Sequence, residues 1–74
     1  MEPEVIQTIP PYDPVLGRTN NVLEYTAIQI HHAGKRLAGV FNVWDKRTPD
    51  RKSEVAVYGD TVMDVVAKVK RCLQ

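Results

Sequence analysis

Two adjacent histidines, one cysteine, one tryptophan and three tyrosines are the side chains here with distinctive chemistry. His31 and His32 lie in an apolar stretch that reads as a strand. Successive strand side chains point to opposite faces, so this pair cannot chelate one ion. No other ligand-type residues have the spacing to complete a metal site. Cys72 has no His, Asp or Asn arranged around it in sequence. It lies near the end of a helical segment, away from the N-terminus that would lower a thiol pKa. The four glycines are isolated, so no phosphate-cradling loop is present. Asp45, Asp50, Asp60 and Asp64 fall where turns and a helix cap call for them. These residues predict a chain that is not an enzyme and takes no metal or cofactor.

A second constellation is more suggestive. Trp44 ends an apolar run, and Lys46, Arg47, Arg51 and Lys52 follow it in a loop that contains Pro49-Asp50. Lys35 and Arg36 stand beside a glycine turn, and Tyr25 and Tyr58 lie in strand-like segments. Aromatic rings offer bases a stacking surface, worth about 1–3 kcal/mol per base, while cations track phosphates. The charge is also uneven. Residues 1–30 carry Glu2, Glu4, Asp13 and Glu24 against Arg18 alone, whereas residues 31–74 carry nine basic and five acidic groups. An acidic arm beside a basic module suggests single-stranded nucleic acid or an acidic protein surface as partner.

These residues need a frame. Seventy-four residues make one small domain with a thin core, which favours a homodimer. Residues 1–21 hold four of the five prolines and read as an extended N-terminal arm. Within it, residues 5–9 are read as a short edge strand and residues 10–17 as a strap. Residues 22–74 are the module. A strand is expected over 22–32, and Gly34 then supplies the positive φ of a tight hairpin. The second strand covers 36–45, with Gly39 in mid-strand marking a bulge or a close backbone approach. A third strand covers 54–58. Thr61 and Asp64 then open a helix, on which Val62, Val65, Val66, Val69 and Leu73 form one stripe. Valine disfavours helix by about half a kcal/mol per residue against alanine, so burial must hold this one.

The expected fold is therefore α+β: a small antiparallel sheet of three to four strands, one C-terminal helix packed on one face, and the arm. Strand parity assigns Ile28, Ile30, Leu37, Phe41, Val43, Val55 and Val57 to the helix. It leaves Tyr25, Gln29, His31, Val40, Asn42, Trp44 and Tyr58 on the other face. That second face is expected either to bind single-stranded nucleic acid or to be covered by the arm or a second subunit. The alternative function is a protein-interaction module, such as a phage- or mobile-element-encoded inhibitor or adaptor of a host protein. The single cysteine and the acidic, polar start suggest a cytoplasmic setting, and no run is long and apolar enough for a membrane span.

The order of strand, Gly34-Lys35 turn, strand ending at Trp44, basic loop, short strand and helix resembles the single-stranded-DNA-binding domain of the positive cofactor four coactivators. The similar stretches are residues 25–35, 40–44, Pro49-Asp50-Arg51-Lys52 and the closing helix. The resemblance covers about two thirds of the chain. It implies a homodimer gripping single strands through Trp44, Arg51, Lys52 and the Gly34-Lys35 turn. The loop after Trp44 is shorter than is usual in that family, and the proline-rich arm has no counterpart there.

Overall fold

The computed structural model describes residues 4–74; the first part of the acidic, proline-containing arm, including Glu2 and Pro3, lies outside the described residues. Five strands form one antiparallel sheet: β1 (Val5–Ile9), β2 (Leu23–Tyr25), β3 (Ile28–Ala33), β4 (Arg36–Asp45) and β5 (Ser53–Gly59). One helix, α1 (Val62–Leu73), closes the chain. The α+β architecture matches the sequence expectation. β1 is the edge strand expected in the arm, and the count reaches five because the segment 22–32 breaks into two strands.

The break is a β-bulge. Tyr25 pairs with Val43 and Gln29 with Val40. Thr26, Ala27 and Ile28 therefore stand against only Phe41 and Asn42, and one residue is extra. Thr26 holds the irregularity in place. Its N–H donates to the Asn42 carbonyl (2.9 Å), and its hydroxyl oxygen accepts from the Asn42 N–H (2.9 Å). A bulge shifts the alternation of side chains by one position. Tyr25 and Ile28 consequently face the same side of the sheet, although their parity differs.

β3 turns into β4 through Gly34-Lys35, with Gly34 at φ +66°. A glycine with positive φ at the first central position is the pattern of a II′ hairpin turn, whose twist suits antiparallel strands. At the other end of the sheet, Thr61 caps α1 by accepting from the Asp64 N–H (3.1 Å), as the sequence indicated.

The core lies between α1 and one face of the sheet. Phe41, Ile28, Ile30, Val65, Val69 and Leu73 are its fully buried centre, with Leu37, Val43, Val55 and Val57 packed around it. This is the helix-facing set that parity assigned. Gly39 makes the approach close: a Cβ there would lie 2.5 Å from Val65 Cγ1. Of the two roles expected for this glycine, close approach is the one observed.

The arm belongs to this core. β1 adds to the β3 edge. A short 3-10 turn, Pro14–Leu16, then crosses to the helix, and Leu16 is completely buried. The Asn20 N–H donates to the Leu73 carbonyl (2.6 Å), giving a partner to one of the acceptors a helix C-terminus leaves free. Tyr12 sits at φ +64°, which is unusual for a bulky residue. Three contacts hold it there. Its N–H donates to the Tyr25 hydroxyl (2.9 Å), its own hydroxyl donates to Glu24 (2.6 Å), and the two tyrosine rings lie 5.1 Å apart.

Candidate nucleic-acid interface

The face of the sheet opposite α1 has a row of residues from each strand. From β4 come Ala38, Val40, Asn42 and Trp44. Beside them on β3 are His31, opposite Ala38, and Gln29, opposite Val40; Glu24 of β2 lies opposite Trp44. On the other side β5 supplies Tyr58 opposite Ala38, Ala56 opposite Val40 and Glu54 opposite Asn42. β1 adds Thr8, beside Gln29, and Val5, beside His31. The helix and the Pro14–Leu16 turn both pack on the other face, and Thr8, Gln29, Glu54, Ala56 and Tyr58 are exposed.

Two sequence expectations are corrected here. Tyr25 is not on this face; it is 3% exposed within the core, because the bulge at Thr26-Ala27 reverses its side. The described part of the arm, residues 4–21, does not cover this face either. After β1, Pro10 and Pro11 lead it off the sheet, and burial of Leu16 draws it to the helix. The other residues assigned by parity (Gln29, His31, Val40, Asn42, Trp44 and Tyr58) lie where expected.

The aromatics stand at opposite ends of the face. Tyr58 neighbours Ala38, and Trp44 is six residues further along β4, which is about 20 Å at the strand rise. Between them the floor is low, made by Ala38, Val40 and Ala56. Lys52 extends from the start of β5's approach over the indole of Trp44, with Nζ 4.6 Å from the ring centroid. This is cation–π geometry, worth about 0.5–1 kcal/mol at an exposed site. Tyr58 is 47% exposed.

The basic residues divide into two groups. Arg47 folds back on Asp45, with Nη2 2.7 Å and Nε 3.0 Å from its carboxylate oxygens. The hydrogen bonds from the Arg47 side chain and N–H hold the Asp45 carboxyl down to about 2, and the same pairing raises the Arg47 guanidinium. Lys46 pairs with Glu24 (3.7 Å) and Arg36 with Asp60 (3.4 Å). Among the described residues, Lys35, Arg51 and Lys52 form no ion pair. The loop is thus less basic in effect than its composition implies. Asp45 both follows Trp44 and neutralises the first arginine of the loop.

The edge strand expected over residues 5–9 is β1, and its Thr8 and Val5 extend the face by one strand. Sequence reasoning missed the acids Glu24 and Glu54 beside Trp44 and Asn42, which strand register alone reveals. Among the described residues no cluster of three His, Cys, Asp or Glu could hold a metal ion, and no helix is long and apolar enough to cross a membrane. Comparison with protein-family models, curated proteins and solved structures finds no match for this chain.

Proposed function

We propose that this chain is a non-enzymatic binding module that takes single-stranded nucleic acid on its open sheet face, as a homodimer. The observation that carries the reading is Trp44 under Lys52 at the end of a bare, low-floored face. An indole with a cation above it offers both parts of a nucleotide site. A base can displace Lys52 and stack, while the ammonium moves to the phosphate. Gln29, His31 and Asn42 present hydrogen-bonding groups along the floor between Trp44 and Tyr58. Lys35 and Arg51 stand outside ion pairs and are the cations available for the strand. This is the function that the resemblance to the positive cofactor four domain implies through Trp44, Arg51, Lys52 and the Gly34-Lys35 turn; Tyr25, expected on the face from strand parity, has no part in the site. The exposed thiol of Cys72 suits a reducing, cytoplasmic setting.

The test is Trp44 emission during titration with a single-stranded oligonucleotide. Quenching at low salt that fades as salt rises is the expected result. Arg51→Glu with Lys52→Glu should abolish it. Lys46→Glu with Arg47→Glu should weaken it less, because those cations are already paired. Unchanged emission at micromolar concentrations of both components would sink the reading.

One observation favours a second reading, a protein-interaction module of the inhibitor or adaptor kind. Arg36, Lys46 and Arg47 are committed to neighbouring acids, so the face itself is mostly uncharged and suits a protein surface. A single host protein recovered on the immobilised chain, insensitive to nuclease and lost in Trp44→Ala, would decide for it.

A further inference from the structure

The two edges of the sheet are defended differently. On β5, the Lys68 ammonium of α1 donates to the Tyr58 carbonyl, and Glu54 places an exposed charge along the strand. Natural sheets use such charges to keep an edge from pairing. Among the described residues β1, at the other edge, pairs only with β3. Its five residues, Val5, Ile6, Gln7, Thr8 and Ile9, include no charge and no proline. Val5 is 42% and Ile6 43% exposed, and Ile6 has no counterpart in β3.

We infer that β1 is the homodimer interface, pairing antiparallel with β1 of a second copy about a two-fold axis at Gln7. The inference deepens the self-association proposed above and rests on it. The edge is complementary to itself. With the axis at Gln7, Ile6 lies opposite Thr8 of the second copy and the two Gln7 amides meet; the register shift at Ile6 leaves Val5 on the open face and Ile9 in the core, so the paired stretch is residues 6–8. Glu4 falls opposite Pro10, so no like charges are brought together. An isologous contact of this kind closes on two copies and goes no further, while Lys68 and Glu54 guard the outer β5 edges of the pair.

The geometry has a consequence for the open face. A two-fold axis between antiparallel edge strands stands perpendicular to the sheet. Both helices therefore fall on one side, and both bare faces lie on the other. Thr8 and Val5 of each copy sit at the junction, and the two faces become one surface across ten strands.

Charge exchange at Gln7 tests this. The residue is exposed, so Gln7→Lys and Gln7→Glu are expected to fold as the wild type does. Sedimentation equilibrium without oligonucleotide should find the wild type dimeric. Each variant alone should associate about fivefold more weakly, since like charges oppose across the axis, and an equimolar mixture should recover the loss. Amide exchange across Val5–Ile9 should slow as wild-type concentration rises. A wild type that stays monomeric overturns both the interface and the homodimer. A dimer indifferent to both charge variants overturns the β1 interface and leaves self-association standing. Trp44 quenching by oligonucleotide in Gln7→Lys reports on the binding face separately, because that variant leaves Trp44 and Lys52 untouched.

Discussion

Along β4, alternate residues serve two different surfaces. Leu37, Gly39, Phe41 and Val43 face α1, while Ala38, Val40, Asn42 and Trp44 face away. On the helix side the residue types are set by volume. Phe41 fills the centre, and Gly39 is as small as a residue can be so that Val65 can approach. On the other side Ala38 alone of the β4 row is buried, and Val40, Asn42 and Trp44 are part-exposed. Small, polar and aromatic residues coexist there, and the Lys52 ammonium lies over the largest ring. The difference teaches that one strand can carry a close-packed constraint and a chemical surface together, because the pleat separates them residue by residue.

The strongest way to break this comparison is to remove equivalent bulk from each side. Phe41→Ala should destabilise the fold by about 3–5 kcal/mol, as for other buried aromatic truncations. Tyr58→Ala on the open face should cost no more than about 1 kcal/mol. Urea unfolding of both variants is the check, and similar losses would mean the open face is buried in solution. Next in size, Gly39→Ala should cost about 1–3 kcal/mol, because α1 must shift to admit the methyl group. The same experiment at Ala38, as Ala38→Gly, probes the opposite side at the neighbouring position and should cost about 1 kcal/mol in strand entropy.

Thr26→Val sharpens the boundary between the faces. It removes the hydroxyl that accepts from the Asn42 N–H and should cost about 1 kcal/mol, with faster exchange of the Asn42 amide. Slow exchange at Asn42 in this variant would show that the bulge does not depend on the hydroxyl. Lys52→Ala should leave stability nearly unchanged and shift Trp44 emission to the red, since the indole loses its cover.

The smallest effect concerns pH. The hydrogen bond to Glu24, reinforced by partial desolvation and the Glu24 charge, pushes the Tyr12 phenol up to about 12. The contribution of this contact to folding is fully present below the ordinary phenol pKa of about 10. It is lost as pH rises from there through about 12, because the unfolded chain ionises first. Ultraviolet titration should find this late phenol in the wild type and an earlier one in Glu24→Gln.

Much of the frame was legible in the residues themselves. The stripe Val62, Val65, Val66, Val69 and Leu73 has helical spacing, and Thr61 with Asp64 marks its start; the helix observed is Val62–Leu73. The parity of β4 and β5 was equally readable, since their pairing runs without irregularity from Leu37 opposite Gly59 to Val43 opposite Ser53. The candidate site was less legible. Its aromatic and polar floor followed from parity, but the usable cations did not. Arg47 and Lys46 look alike in sequence to Arg51 and Lys52, and only folding places Asp45 and Glu24 within reach of the first two.

The side taken by Tyr25 separates the two sources of information most clearly. Period-two alternation extrapolated from Gln29 and His31 puts it on the open face. The sequence by itself determined the helix, the hairpin, the closed face and the identity of Trp44 as the aromatic at the end of the open one. Tertiary structure decided where alternation is interrupted, which cations remain unpaired, and that the arm, after its edge strand, turns to the helix. The physical reason is the distance over which each is set. Alternation and helical spacing act between near neighbours. The bulge exists because Thr26 finds the Asn42 N–H sixteen residues away, and no local pattern carries that information.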